Sequence, residues 1–132
     1  MALLQVQKAI YDALDGNAPL AALVTGVFDE VPQTTVPPFV QFGSPTEDPW
    51  HTFGRQGWKV RVPIFVWSEY PGNKESLTIL DAITAVLDEA SLTIASHSLV
   101  RCRRVSSGVS PPDPDGFVRT VEAVYELWVQ ET

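Results

Sequence analysis

A chain of 132 residues, 45% hydrophobic and 19% charged, is long enough for one globular domain and should bury roughly two-thirds of its unfolded surface without staples. Its formal charge of −7 argues against a protein that wraps nucleic acid, because phosphate binding needs concentrated Lys and Arg. One cysteine, Cys102, cannot form an internal disulfide, and with His51 and His97 it makes a poor zinc cluster.

No apolar run is long enough to cross a bilayer, and Met1–Gln5 starts no basic leader ahead of an apolar stretch. The expectation is one domain, residues 1–132, made in the cytoplasm, with no cofactor and no membrane partner. From Ala2 to Leu14 the residues Leu3, Val6, Ile10 and Leu14 share a helical stripe, with Lys8, Asp12 and Asp15 off it. Gly16-Asn17 stops that helix, and Pro19 opens a short second helical turn over Ala18–Val24. A brief extended piece at Val27-Phe28 follows. Pro32, Pro37 and Pro38 hold the next segment out of helix, and Phe39–Phe42 reads as a strand.

Gly43 to Gly57 reads as a long polar loop. Trp58–Trp67 is the clearest strand: Trp58, Val60, Val62, Ile64 and Val66 fall on one face, and Lys59, Arg61, Pro63, Phe65 and Trp67 on the other. Pro63, lacking a donor, places this strand at an edge or at a bulge. After the Pro71-Gly72 turn, Asn73 is the expected cap of a helix over Lys74–Ala90, whose stripe runs through Leu80, Ile83 and Leu87 with Ile79, Val86 and Ala90 beside it. Strands over Leu99–Val105 and Phe117–Val129 flank a Pro-rich loop from Ser106 to Gly116. The predicted fold is therefore α+β, a mostly antiparallel sheet of about four strands with helices packed on one face.

Helices on one side leave the other side of the sheet to be explained. Phe65, Trp67, Glu122, Val124, Glu126 and Trp128 are assigned to it by alternation, with Lys59 and Arg61, and with Arg101 and Arg103 alongside. Seven of the nine basic residues lie in these strands or their flanks, so Glu122 and Glu126 have cations to meet across strands. This face reads either as a solvated surface with ordinary cross-strand ion pairs or, because exposed aromatics within a polar rim are typical of interfaces, as a face used for self-association.

Catalytic constellations are weak. Ser44, Asp48 and His51 are the types a hydrolase uses, but the nucleophile turn is missing; Trp50 and Phe53 in the same loop are expected to pack on a neighbour. His97 reads as a turn residue and Cys102 as a small buried hydrophobe. Gly54-Arg55-Gln56-Gly57 is too short for a phosphate cradle. The Arg101, Arg103, Arg104 cluster is the best case for nucleic acid, yet it has no basic recognition helix beside it.

Several segments in order resemble the tail-completion (tail terminator) proteins of long-tailed bacteriophages, prophages and gene transfer particles. They are Gln7-Lys8-Ala9-Ile10-Tyr11, Pro19-Leu20-Ala21-Ala22-Leu23-Val24, Val27-Phe28-Asp29, Pro38-Phe39-Val40, Phe65-Val66-Trp67-Ser68, Leu87-Asp88 and the late aromatic strand. The resemblance implies a virion protein, not an enzyme: a ring, usually a hexamer, that ends the tail tube. Its implied partners are further copies of itself, the major tail tube protein and the head-tail connector protein. It supplies no catalytic residues, so the interface candidates are Phe65, Trp67, Arg101, Arg103, Glu122, Glu126 and Trp128 from the sheet pattern, with Trp50 from the long loop. A head-side joining subunit and a small α+β ligand-binding module are the alternatives.

Overall fold

In the computed structural model, which describes residues 2–69, 72–89, 91–110 and 118–131, the N-terminal stripe is a helix, α1 (Leu3–Asp15). It buries Val6, Ala9, Ile10 and Leu14, and pairs Lys8 with Asp12 on its wet face at 2.9 Å. The Asn17 side chain then accepts the Leu20 N–H at 3.0 Å and opens α2 (Ala18–Ala21). Two short strands follow, β1 (Val27–Phe28) and β2 (Phe39–Phe42), paired in parallel. Next come β3 (Thr46–Pro49), β4 (Gly57–Ser68), the helix α3 (Lys74–Leu87), β5 (His97–Val109) and β6 (Arg119–Glu131).

The sheet has six strands rather than about four, in the order β1-β2-β4-β6-β5, with β3 also pairing β4; every pairing except β1–β2 is antiparallel. The extra strands come from segments expected to be extended scraps or loops. Thr46–Pro49 lies within the expected Gly43–Gly57 loop, yet it runs along Trp58–Arg61. Ser106–Val109, also expected to be loop, extends β5 along Val121–Val124. Residues 111–116 of that loop, and 117 of the expected last strand, lie outside the described residues.

Pro63 needed a different explanation from an edge or a bulge. β4 is interior, with β6 along one side and β2 then β3 along the other. The Pro63 carbonyl accepts the Gly43 N–H at 2.8 Å, so its missing donor faces the gap where β2 hands over to β3. The loss is the single return bond to the Gly43 carbonyl, at the point where the β2 ladder ends. Asn73 stands at the start of α3, but its side chain makes no capping bond; its backbone carbonyl takes the Ser76 hydroxyl at 3.2 Å instead.

All three helices lie on one side of the sheet. Val60, Val62, Ile64 and Val66 of β4 and Val121, Ala123, Tyr125, Leu127 and Val129 of β6 meet Val6, Ile10 and Leu14 of α1 and Ile79, Leu80, Ile83 and Leu87 of α3. The Tyr125 hydroxyl, buried in that layer, is bonded to the Thr84 hydroxyl at 2.9 Å. β5 lies at the sheet edge, and its outer side is held by the turn after α3, where Glu89 donates its N–H to the Cys102 carbonyl at 2.6 Å. From Arg103 to Val109 every residue of β5 is exposed, because α3 has already ended at Leu87.

Candidate assembly surface

Strand alternation turns Lys59, Arg61, Phe65 and Trp67 of β4 away from the helices, and the twelve-residue register with β6 sets Trp128, Glu126, Glu122 and Thr120 opposite them. These residues form two groups, one near each end of β4.

The first group is built on Glu126, only 5% exposed although it is a carboxylate. Its Oε1 accepts from Trp128 Nε1 at 2.6 Å and its Oε2 from Arg61 Nε at 3.0 Å. Trp128 is flanked by the Lys59 ammonium, 4.4 Å from its ring centroid, and by the edge of Trp50 at 5.0 Å and 64°. Arg103, opposite Glu126 in the register, adds a second positive charge. The Trp128 bond, then the bond and charge of Arg61 and the charge of Arg103, hold the Glu126 carboxyl below the usual range, against the opposing effect of its burial.

A lowered folded pKa stabilises the fold fully above the unfolded value near about 4.3, and that stabilisation is lost as pH falls through the lower folded value. Glu126→Gln is expected to flatten the acid limb of stability against pH below about pH 4 and to cost about 1 kcal/mol at neutral pH. Urea midpoints measured across that range check it. An acid limb as steep as the wild type's would assign the acid sensitivity to other carboxylates.

The second group is aromatic. Phe28 meets Phe39 edge-on at 6.2 Å, Phe39 stacks on Trp67 at 6.1 Å, and Trp67 Nε1 donates to Gln41 Oε1 at 2.9 Å. Phe65 lies opposite both Gln41 and Glu122. Phe65, Trp67, Trp50, Trp128 and Glu122 are all half-buried.

Arg101 goes elsewhere. A register irregularity at Val100 brings it opposite Trp128, but its guanidinium reaches Glu89 at 2.8 and 3.0 Å, binding β5 to the turn after α3. Arg104 also engages α3 and the turn after it, its backbone N–H donating to Asp88 at 3.1 Å and its guanidinium reaching the Thr84 hydroxyl at 3.5 Å. The arginine cluster is thus divided: Arg103 faces Glu126, and the other two brace the α3 end.

Sequence reading missed Phe28, Phe39 and Gln41. Alternation within β2, set against Phe65 and Trp67, carries the signal for the last two.

The hydrolase types do not converge. His51 accepts the Gly57 N–H on Nδ1 at 3.2 Å and stands edge-on to Trp58 at 5.0 Å, while Ser44 lies by Phe65 and Trp67 toward the other end of β4. Burial pushes the Cys102 thiol up to about 12, with the nearby Asp88 and Glu89 charges adding to it, so it is no nucleophile. Among the described residues no group of three His, Cys, Asp or Glu is placed to hold a metal, and no helix is long and apolar enough to cross a membrane.

The chain matches the family model described as tail completion protein gp17 over residues 8–130. A search of curated proteins finds no match. Among solved structures, the chain is similar to one from the virion of a native gene transfer agent (GTA) particle, with a TM-score of 0.90 at 23% identity, covering 98% of this chain and 97% of that one. Likeness at that identity speaks for the fold. The family match, running from α1 into β6, carries the assignment: the chain belongs to the tail completion protein gp17 family and is a structural tail protein of the phage type.

Proposed function

We propose that this chain forms a closed ring of identical copies, a hexamer, that ends the tail tube and joins it to the head connector. The observation that carries this reading, beside the family, is the helix-free sheet face, where four large aromatics stay half-exposed and the buried Glu126 carboxylate pairs with the exposed Arg61. Such a face has the composition of an interface core within a polar rim. The family, one of structural tail proteins, supports assembly as the role. A ring needs two different patches per subunit, related by a rotation that closes. The helix-free face, with Phe65, Trp67, Trp128, Trp50, Arg103, Glu122 and Glu126, supplies one of them, and Arg101 stiffens the edge strand beside it.

Light scattering of the purified chain, with electron microscopy of tails made with and without it, tests the reading. Rings in the first and tails of uncontrolled length without the protein are expected. Trp67→Ala and Trp128→Ala should lower the oligomer mass while the far-UV spectrum stays that of a folded subunit. An unchanged mass in both variants removes this face from assembly. Normal tails without the protein remove the ring function itself.

A further inference from the structure

Phe53 is the most exposed large apolar side chain described, wholly in solvent. It is not on a loose loop. Thr52 and Arg55 exchange backbone hydrogen bonds, both 3.0 Å, and Gly54 between them has φ 80°, a left-handed conformation that glycine holds without strain. Trp50 N–H bonds the Gly57 carbonyl at 2.7 Å just behind, so Phe53 is carried at the tip of the β3–β4 hairpin. An ordered phenyl ring with no packing partner in its own subunit has the form of an interface anchor.

On the second aromatic group lies an open hollow of ≈ 420 Å³, lined by Asp29, Gln41, Ser44, Pro45, Phe65 and Trp67. Phe65 and Trp67 give it an apolar floor, and Asp29 puts one carboxylate on its rim. Asp29 has no ion-pair partner among the described residues. The hairpin tip carries the opposite charge: the guanidinium of Arg55, two residues from Phe53, makes a long 3.4 Å bond to Gln130 and no ion pair among the described residues. Phe53 cannot fill the hollow of its own subunit. Trp58, near the tip, and Phe65, at the hollow, are seven residues apart on the rigid strand β4, which sets them roughly 23 Å apart.

We propose that Phe53 of one copy seats in the hollow over Phe65 and Trp67 of a second copy, with Arg55 against Asp29, and that the contact repeats head to tail. This rests on the ring reading and names its two unlike patches, one at each end of β4. Anchor and socket are complementary in polarity and charge, and being different surfaces they build a series of copies in place of a symmetric pair.

The test uses the full chain with Phe53→Cys and Ser44→Cys together. The native Cys102 is buried and stays out of the chemistry. Mild oxidation should yield a ladder of disulfide-linked species beyond the dimer on a non-reducing gel, while each single variant gives at most dimers. Phe53→Ala, which removes no packing within the subunit, should weaken self-association about tenfold or more. Arg55→Asp should do likewise and be restored by Asp29→Arg. If the wild type assembles but Phe53→Ala assembles equally well and the double cysteine variant gives no ladder, this contact is wrong and the ring reading stands. A ladder that stops at the dimer overturns the head-to-tail arrangement. A wild-type chain that stays monomeric at the highest soluble concentration, with no cross-linking, overturns both.

Discussion

Ile83→Ala is expected to destabilise the subunit by about 2–5 kcal/mol, the usual cost of deleting a large aliphatic side chain from a close-packed site. Ile83 is fully buried in the middle of α3, in the same core cluster as Tyr125 and Leu127 of β6 and Ile64 of β4. A chain of this size holds roughly 5–15 kcal/mol in total, so the change removes a large share of it. The cavity is hard to close. α3 is held on its sheet at Thr84 by Tyr125 and at its end by Glu89, whose N–H and carboxylate both engage β5. The urea midpoint should fall without a change of slope. Leu77 lies on the outer side of the same helix, 41% exposed, and Leu77→Ala should stay within about 0.5 kcal/mol. Equal losses in the two variants would show that α3 is not clamped on the sheet as described.

Gly57→Ala comes next in effect, at about 1–3 kcal/mol, the range for forcing extra atoms into a packed site. A Cβ on Gly57 would overlap the Trp50 carbonyl oxygen and come within 2.8 Å of the Trp50 ring. Neither can yield alone, since Trp50 N–H bonds Gly57 across the hairpin and the Trp50 ring leans on Trp128. The strain should therefore reach both the melting temperature and the near-UV signal of the tryptophans, and it should disturb the hairpin that carries Phe53. Gly108→Ala is the matched control: nothing lies within 4 Å of a Cβ there, and its φ is not in the left-handed range. It should be nearly neutral. A Gly57→Ala chain that melts like the wild type, with an unchanged near-UV spectrum, would show that the hairpin base is looser than drawn.

The strands that hold the core were legible because alternation leaves a record in them. In β4 and β6 each residue faces either the helices or the opposite side, and the apolar set matches the buried set closely. β3 left no such record. Thr46-Glu47-Asp48-Pro49 is polar and ends in proline, and it is a strand because β4 offers it an open row of backbone groups at Trp58–Arg61. Ser106–Val109 is extended for a similar reason, drawn along by β6. Arg101 shows the limit at the candidate surface. One irregularity at Val100 shifts the register, and the side chain assigned to the sheet face pairs with Glu89 at the edge.

The amino-acid order alone determined the helix stripes, the two long alternating strands, the side of the sheet left without helices and the aromatic and charged residues placed there. These follow from local periodicity, which is written residue by residue. Tertiary structure alone decided which polar segments became strands, how Pro63 is accommodated inside the sheet where the β2 ladder ends, and how Glu126 is held between Trp128 and Arg61. It also decided that Phe53 stands free at one end of β4 while a hollow with Asp29 on its rim opens near the other. Pairing across long sequence separations sets those outcomes, because a backbone donor or a side chain is satisfied by whatever the fold brings beside it.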